Sequence, residues 1–397
     1  MRYVFFLVAA LFVTQAIAAE DSVRPELGKP LTAAQELLQA RKYREALGKV
    51  RDADAVGAKT PYETGVIEQL RLIAATGAGE PAVAAKAFEV LAEAGRVQKP
   101  ELARYAQAIG NSYYQAKDYA AAAVWGNRYY AQGGTDPQVR VLVAQSFYLA
   151  GDYAGAVRAI NEQVRDEGRP AELQLQILAA SYAKLNDEAN AIAALERLVA
   201  AYPKSDYWAD LIHRVSSRAG FASRLEIEVG RLRLALGGFT TADQYVEQAE
   251  LTLQAGLPGE AAAIIEKGFA AGLLGNGADA DRHRRLRDLA AHAAADDRAG
   301  LAKAEQEAAA AKDGNALVAT GLDYLGYGQP DKAASLIQQG IAKGGLKHPD
   351  DTRLHLGIAL LQSGQKAKAA EAFHAVQGGD GTVDLARLWL AQAGRTL

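Results

Sequence analysis

The sequence predicts an all-α protein in which antiparallel helix pairs stack on one another as an α-solenoid. A small residue followed three positions later by an aromatic or large apolar residue recurs about every 34 to 38 residues, and an alanine follows at a fixed spacing. Short breaks containing Gly, Pro or an acidic residue separate the helical segments. Runs of alternating apolar and polar residues, which are typical of β-strands, are absent. We therefore expect helices along the whole folded part of the chain.

The second helix of each predicted pair carries one alanine at an equivalent position. Alanine allows two helices to approach closely, so we expect these anchor alanines to lie between packed helices. Two of the intervals between successive anchor alanines are twice the usual length. Each encloses a segment with a degenerate repeat, which we interpret as a further helix pair; these segments are 206–237 and 281–312. The anchor alanines are Ala46, Ala84, Ala122, Ala156, Ala191, Ala261, Ala333 and Ala369.

The first helix of each pair carries the small residue and its larger partner. Gly110 with Tyr113 and Gly321 with Tyr324 show the pattern, in which the small residue permits close packing and the aromatic ring fills the space beside it. Gly357 occupies the same position in a later unit. The loops between these helices are too short for anything but antiparallel neighbours.

This repeat resembles that of the tetratricopeptide-repeat family, and residues 144–160 and 321–341 match it closely. The tryptophan that the family places near the start of the first helix is missing from every unit. The resemblance implies a right-handed solenoid of about ten helix pairs over residues 31–378. It also implies a C-terminal capping helix within 379–397, where residues 383–393 carry an apolar face.

The N-terminus has the features of a secretory signal peptide. Arg2 supplies a positive charge, an apolar run follows, and Ala16 and Ala18 form a small-x-small cleavage pattern. A retained membrane anchor is the alternative, but a span needs about 20 apolar residues and this run is shorter. We expect residues 1–18 to be removed, the mature chain to begin at Ala19, residues 19–30 to form a short linker, and the protein to reside in the periplasm without membrane insertion.

Composition and motifs point away from catalysis and from nucleic acid. The chain of 397 residues has a formal charge of −3 and no cysteine. These values exclude a basic nucleic-acid binder, a disulfide framework, a lipoprotein and a thiolate metal site. Ser181-x-x-Lys184 matches the nucleophile motif of penicillin-recognising enzymes but lacks its partner motifs, and residues 275–280 resemble a dinucleotide-binding turn but follow a predicted helix. We expect no enzyme activity and no cofactor.

The histidines and the single basic cluster are expected to be structural. No two histidines have the i, i+4 spacing that places two metal ligands on one helix face, although His348 and His355 flank a predicted helix start and could meet in space. We expect no metal site. The basic run 282–287 is interpreted first as a solvated helix face with ion pairs, and second as a patch for an anionic partner. The six histidines are His213, His283, His292, His348, His355 and His374.

The family resemblance implies that first helices line a concave groove. Amides and tyrosines there could hold the main chain and side chains of an extended peptide. Alternatively, Tyr114 and Tyr148 pack between units. Gln107 and Gln145 stand where a carboxylate clamp would need Lys and Asn, so that mode of the family is not expected. The candidate protein-binding residues are Arg104, Gln107, Asn111, Tyr114, Gln115, Gln145, Tyr148, Gln176 and Lys184, with Gln138 and Val141 in the same strip, and Gln174 is expected on an outer or groove face.

Two functional classes follow from these features. The first is a periplasmic scaffold or adaptor that binds a protein or peptide of the cell envelope. The turn at residues 326–334 and the exported, cysteine-free array resemble the tetratricopeptide proteins that accompany TonB–ExbB–ExbD energy-transducing systems. The second is a subunit or regulator of an enzyme that acts on peptidoglycan or polysaccharide. Neither the identity of the partner nor the oligomeric state is set by the sequence.

Overall fold

The computed structural model describes residues 22–167 and 170–394, and within them every regular element is helical. The all-α prediction is therefore confirmed. The predicted signal peptide lies outside the described residues. The chain divides into two compact units, Met1–Asp187 (unit 1) and Glu188–Leu397 (unit 2). No helix in the described ranges combines the length and the apolar character needed to cross a bilayer.

Unit 1 consists of helices that pack in chain order, so that each described helix contacts the next one. Proline opens several of them at the first helical position, where its missing N–H costs no hydrogen bond. The helices are α1 Pro25–Gln39, α2 Tyr43–Asp54, α3 Pro61–Ala78, α4 Pro81–Glu93, α5 Lys99–Gln115, α6 Tyr119–Ala131, α7 Pro137–Leu149, α8 Tyr153–Glu167 and α9 Glu172–Lys184.

Unit 2 continues the consecutive packing, with a short 3₁₀ turn at Ser223–Leu225 before α12. Its helices are α10 Glu188–Ala201, α11 Ser205–Ser216, α12 Glu226–Ala235, α13 Ala242–Gln254, α14 Pro258–Ala270, α15 Ala280–Ala310, α16 Asn315–Gly326, α17 Pro330–Lys343, α18 Pro349–Gln362, α19 Lys366–His374 and α20 Thr382–Gly394.

The anchor alanines lie where the repeat predicts. Each of the eight is 0% exposed. The small residues of the first helices also lie at helix contacts, because a Cβ on Gly110 would lie at a van der Waals distance of 3.4 Å from Trp125, and one on Gly321 would clash with Ile337 at 2.8 Å. The spacing of small residues in the sequence therefore reports real helix–helix contacts.

The prediction for residues 281–312 is wrong. This segment forms one continuous helix of 31 residues, α15, and not a helix pair. It contains no proline, its lone glycine is Gly300, and residues that favour helices, namely alanine, leucine, arginine, lysine and glutamate, make up most of the rest. Nothing in the segment ends the helix halfway. The other degenerate segment, 206–237, does contain two helices, α11 and α12.

The first helix also begins earlier than expected. We predicted a linker over 19–30, but α1 starts at Pro25 and includes Pro30. The start is fixed by Arg24, whose backbone N–H and guanidinium both donate to the buried carboxylate of Glu63. Pro30 is the sixth residue of the helix, so its missing N–H removes the one intrahelical bond that it would make to the carbonyl of Glu26.

Helix α20 packs against α18 and α19 and also closes unit 2 on itself. Leu385, Leu388 and Trp389 are buried against the preceding helices. The same helix reaches α10 and α12 from the start of the unit. There Arg387 pairs with Glu196 at 3.2 Å. An open stack of pairs would leave both ends exposed, whereas here the first and last helices of unit 2 are in contact.

Candidate functional site

The predicted groove residues share one exposed face on each of α5, α7 and α9. On α5, Arg104 and Asn111 are exposed and Tyr114 is half-buried, while the opposite side of the helix is buried. Gln145 and Tyr148 on α7 are half-buried at the equivalent positions. We call the face formed by Arg104, Gln107, Asn111, Tyr114, Gln115, Gln138, Val141, Gln145, Tyr148, Gln176 and Lys184 the polar strip.

The structure brings part of the polar strip together directly. Helices α7 and α9 pack side by side, so Val141 and Gln176, which occupy equivalent repeat positions, lie on neighbouring helices. Helix α6 packs against both α5 and α7. The α5 side is linked to α7 by the amide of Gln107, which donates to Asp136 just before α7 at 3.4 Å.

Several amides of the polar strip have no hydrogen-bond partner within the described part of the chain. They are the side chains of Asn111, Gln115 and Gln145. Gln107 differs, since it is held by Asp136. An amide carries two donors and an acceptor, so these groups can meet a peptide main chain without first breaking an internal bond.

Two tyrosine pairs flank these amides. Tyr114 contacts Tyr119 with ring centroids 5.3 Å apart, and Tyr148 contacts Tyr153 at 5.5 Å, both edge to face. Each tyrosine pair joins the first helix of a repeat to the second helix of the same repeat. Burial raises the pKa of the Tyr114 hydroxyl, and the nearby Tyr119 adds to this effect.

The hydroxyls of these tyrosines remain available. Among the described residues, neither Tyr114 nor Tyr148 has a hydrogen bond to its hydroxyl, whereas the hydroxyl of Tyr105 is bonded to both Gln69 and Glu101. The rings are fixed by packing and the hydroxyls are free to donate. Each of these tyrosines can therefore pack through its ring and bind a partner through its hydroxyl.

The placement of Gln174 is a correction. We expected it on an exposed face, but it is 2% exposed and its side chain accepts a hydrogen bond from the Ala171 N–H at 2.7 Å. It occupies the N3 position of α9, where a glutamine satisfies a free amide at the helix start. The sequence contains this signal, because the Gln lies three residues after the helix boundary.

The basic run is paired with acidic residues, as its first interpretation predicts. Arg282 pairs with Glu250 at 3.2 Å and Arg287 with Glu266 at 2.5 Å, on α13 and α14. Arg284 pairs with Asp281 on its own helix at 2.6 Å. Three of the four arginines are therefore engaged in ion pairs within the molecule.

The remaining motifs have structural positions. Ser181 is 0% exposed inside α9, and residues 275–279 lie in the loop between α14 and α15, which begins at Ala280. The Nδ1 atom of His283 accepts a hydrogen bond from the Gly275 N–H at 3.2 Å, which fixes that loop. His348 precedes α18 and His355 lies inside it, paired with Glu228. In the ranges that the structure describes, no three acidic, histidine or cysteine side chains are grouped as metal ligands.

Unit 2 contains a buried charge network that was not predicted from the sequence. Glu228 and Arg231 on α12 are 3% and 8% exposed, and they meet Glu260 on α14 and His355 on α18. The i, i+3 spacing of Glu228 and Arg231 was readable, but this spacing is common on exposed helices. Burial of the pair depends on helices distant in sequence.

The sequence has no match among protein-family models or curated proteins. Solved structures that align with the chain include a Naa15/Naa10 complex bound to HypK-THB, at 15% identity and a TM-score of 0.29, with 91% of this chain and 65% of that chain covered. The TPR domain of P58(IPK) aligns at 12% identity and a TM-score of 0.27, covering 93% and 97%. Yeast Tom70 aligns at 10% identity and a TM-score of 0.26, covering 93% and 96%. The chain thus spans just under two thirds of the first of these proteins.

Proposed function

We propose that this protein is an exported adaptor of the periplasm that holds an extended segment of a cell-envelope protein along the polar strip, with no catalysis of its own. One observation carries the proposal. On the exposed face of α5 and α7, amides and tyrosine hydroxyls lack partners within the described part of the molecule, although tyrosines elsewhere in unit 1 are bonded.

The arrangement suits an extended peptide. Asn111 and Gln145 can each donate to a carbonyl and accept from an N–H of the main chain, which gives affinity without a requirement for a particular sequence. The paired rings of Tyr114 and Tyr148 offer flat surfaces already fixed by Tyr119 and Tyr153, so binding orders few additional side chains.

The charge of the polar strip indicates which kind of partner segment it can bind. The charged members of the polar strip are Arg104 and Lys184, both exposed and both positive. No carboxylate belongs to the strip as defined. A neutral or acidic segment therefore fits this face better than a basic one.

The cellular setting of the proposal comes from the sequence. The charged start, the apolar run and the Ala16-x-Ala18 pattern support export to the periplasm. The turn at 326–334 supports a role as an accessory of a TonB-type transport system. Osmotic-shock fractionation with N-terminal sequencing tests export, and material that still begins at Met1 contradicts it.

The binding proposal is tested by capture of envelope proteins with two variants. The first, Asn111→Ala/Gln145→Ala, removes the free amides. The second, Tyr114→Phe/Tyr148→Phe, removes the hydroxyls and keeps both ring pairs. We expect each to weaken capture by about tenfold or more, since central contacts of an interface often contribute above 1 kcal/mol each. The melting temperature should stay unchanged.

The control is Asn127→Ala, which removes an exposed amide from α6, outside the polar strip. Capture equal to that of the native protein in both test variants contradicts the strip as the binding site. Turnover of peptidoglycan or polysaccharide by a complex that the protein recruits would instead support the enzyme-subunit alternative, because the captured partner would then carry the activity.

A further inference from the structure

A cavity of about 270 Å³ lies between α12 and α13 in unit 2, and we call it the α12–α13 groove. Helix α12 belongs to the degenerate segment 206–237, which contributes no anchor alanine. Its lining residues have the spacing i, i+3, i+4 and i+7, so a single face of the helix is turned toward the cavity. On α12 these residues are Glu226, Val229, Gly230 and Arg233.

Helix α13 presents a matching face to the groove. Its lining residues have the same spacing, and all but the last are polar or charged. In the regular repeats, by contrast, an alanine that is 0% exposed lies between packed helices. The lining residues of α13 are Gln244, Glu247, Gln248 and Leu251.

The middle of the groove is held by a fixed contact between its two helices. The amide of Gln248 donates to the Ile227 carbonyl at 3.0 Å. Gly230 makes this approach possible, because a Cβ there would overlap the Gln248 side chain. The short loop 236–241 makes the helices antiparallel, so Arg233 lies toward the start of α13 and Glu226 toward Leu251.

The charges at the two ends of α12 have no partner of their own. Within the part of the chain that the structure describes, neither the half-buried Arg233 nor the exposed Glu226 has an ion pair or a side-chain hydrogen bond. The two residues are seven positions apart on one helix face, which is about 10 Å at 1.5 Å per residue. A ligand that pairs with both therefore carries an anion and a cation about 10 Å apart.

The side chains between these ends suit the main chain and small side chains of a peptide. The carbonyl oxygen of Gln244 accepts from the N–H groups of Thr240 and Thr241 at 2.8 and 3.1 Å, which leaves its NH₂ group to donate to a carbonyl. The rings of Phe221 and Phe239 complete the lining of the groove and offer apolar surface.

We propose that the α12–α13 groove binds a peptide of about three residues with free termini, its carboxylate on the guanidinium of Arg233 and its ammonium on the carboxylate of Glu226. Three extended residues span about 10 Å, which matches the separation of the two charges. A guanidinium can bind a carboxylate through two parallel hydrogen bonds. The groove lies in unit 2 and involves no residue of the polar strip, so it does not rest on the proposed function.

Other ligands of related chemistry fit the groove less well. A free amino acid carries its ammonium and carboxylate on one carbon atom and cannot reach both Arg233 and Glu226. An internal segment of a protein carries neither terminal charge. A simple anion leaves Glu226 unpaired and meets the carboxylate of Glu247, which also lines the groove.

The test is calorimetric titration of the mature chain at pH 7, where both termini of a peptide are charged. The probes are alanine, its dipeptide, tripeptide and tetrapeptide, and the tripeptide with an acetylated amino group or an amidated carboxyl group. We expect the free tripeptide to bind most tightly. Blocking either terminus should weaken its binding by about tenfold or more, since each block removes a hydrogen bond between charged groups.

Two variants assign the termini to their partners. Arg233→Gln should bind the free and the amidated tripeptide equally weakly, and Glu226→Gln should do the same for the free and the acetylated tripeptide. The matched controls are Glu247→Gln, which removes the other carboxylate of the groove, and Arg285→Gln, which changes an exposed arginine on α15. Both controls should keep the native preference for free termini, and circular dichroism establishes that all four variants are folded.

Several results would overturn the proposal. One is a native chain that binds none of the peptides at millimolar concentration, or that binds free and blocked tripeptides alike. Another is an Arg233→Gln variant that still discriminates against the amidated tripeptide. Tightest binding of alanine itself, or loss of the preference for a free amino group in Glu247→Gln, would place the ammonium at Glu247 and contradict the assignment to Glu226.

Discussion

The imidazole of His355 on α18 lies 2.8 Å, Nε2 to Oε1, from the carboxylate of Glu228 on α12, although the two residues are 127 positions apart in the chain. Arg231, one turn after Glu228, pairs with it and also bonds to both carboxylate oxygens of Glu260 at 2.8 and 2.6 Å. These four side chains, the Glu228 network, join α12, α14 and α18.

The charges of the Glu228 network help to hold together the helices that close unit 2. Burial disfavours the charged form of Glu228, but Arg231 and His355 outweigh that effect and hold its pKa below the ordinary value of 4.5. A carboxylate with a lowered pKa stabilises the fold at pH values above its unfolded pKa, and this contribution is lost as the pH falls through the folded pKa. Acid should therefore weaken the contact between α12 and α18.

The first prediction concerns Arg231. Replacing it with Met leaves the carboxylates of Glu228 and Glu260 without their shared cation in a buried site. We expect unit 2 to lose about 3–5 kcal/mol of stability, the usual cost of removing one partner from a buried ion pair. Denaturant unfolding measures this loss of stability, and hydrogen exchange of the backbone amides of α12 and α18 shows where it occurs.

The matched control is the triple variant Arg231→Met/Glu228→Gln/Glu260→Gln, in which no unpaired charge remains. It should recover much of the lost stability. If Arg231→Met is as stable as the native protein, the Glu228 network does not support the closure.

The sequence predicts the repeat well because the repeat is a packing pattern. The anchor alanines and Gly110 occupy contacts between helices that are adjacent in the chain, so spacing alone locates them. The polar strip follows from the same register, since positions three and four apart share a helix face. In the structure these residues are exposed or half-buried, and the binding role stays a prediction.

The closure of unit 2 and the length of α15 were not predictable by the same reasoning. His355 and Glu228 come together through the summed geometry of the helices between them, and no local pattern encodes that distance. The anchor positions Ala261 and Ala333 suggested a regular unit between them. The doubled interval between these two alanines led us to predict a helix pair. The segment has no residue that breaks a helix, and it forms one long helix.

A second prediction compares two helical glycines. A Cβ at Gly357 would lie 2.3 Å from the ring of Phe373, which is 1% exposed and has little room to move. Gly357→Ala should therefore cost about 1–3 kcal/mol. Gly65 in α3 has nothing within 4 Å of its Cβ position, and Gly65→Ala should stabilise the protein by about 0.4–1 kcal/mol. Equal effects in thermal unfolding would show that the close contact at Gly357 is wrong.

A third prediction concerns pH. Burial on α16, with a smaller contribution from the nearby carboxylate of Asp297, raises the pKa of Asp323 from 3.8 to about 7. Between these two values the folded protein binds a proton that the unfolded chain has released, so stability falls as the pH rises through this window and then levels off. Asp323→Asn should remove that dependence.

We therefore expect Asp323→Asn to melt at a higher temperature than the native protein at about pH 8, and at a similar temperature at about pH 4. The control, Glu247→Gln, changes an exposed carboxylate on α13 and should follow the native curve at both pH values. A variant of Asp323 that is destabilised at the higher pH would mean that the charged carboxylate is held by a partner.

The last prediction concerns three buried serines. Ser112, Ser146 and Ser181 lie at the equivalent position of α5, α7 and α9, two residues after the small residue of each repeat. They are 5%, 0% and 0% exposed, and their hydroxyls have no hydrogen-bond partner in the described structure. Burial of an unpaired hydroxyl opposes folding.

Removing each hydroxyl should therefore leave stability unchanged or raise it by up to about 1 kcal/mol, because Ala also favours the helix more than Ser does. The comparison variant is Thr252→Val, since Thr252 is also 0% exposed but donates to the carbonyls of Gln248 and Ala249 at 2.8 and 3.0 Å. It should lose about 0.5–1.5 kcal/mol. Serine variants that lose as much stability as Thr252→Val would show that the three hydroxyls are hydrogen-bonded after all. Their partner would then be buried water shared between successive first helices, because water occupies such sites when no side chain supplies a partner.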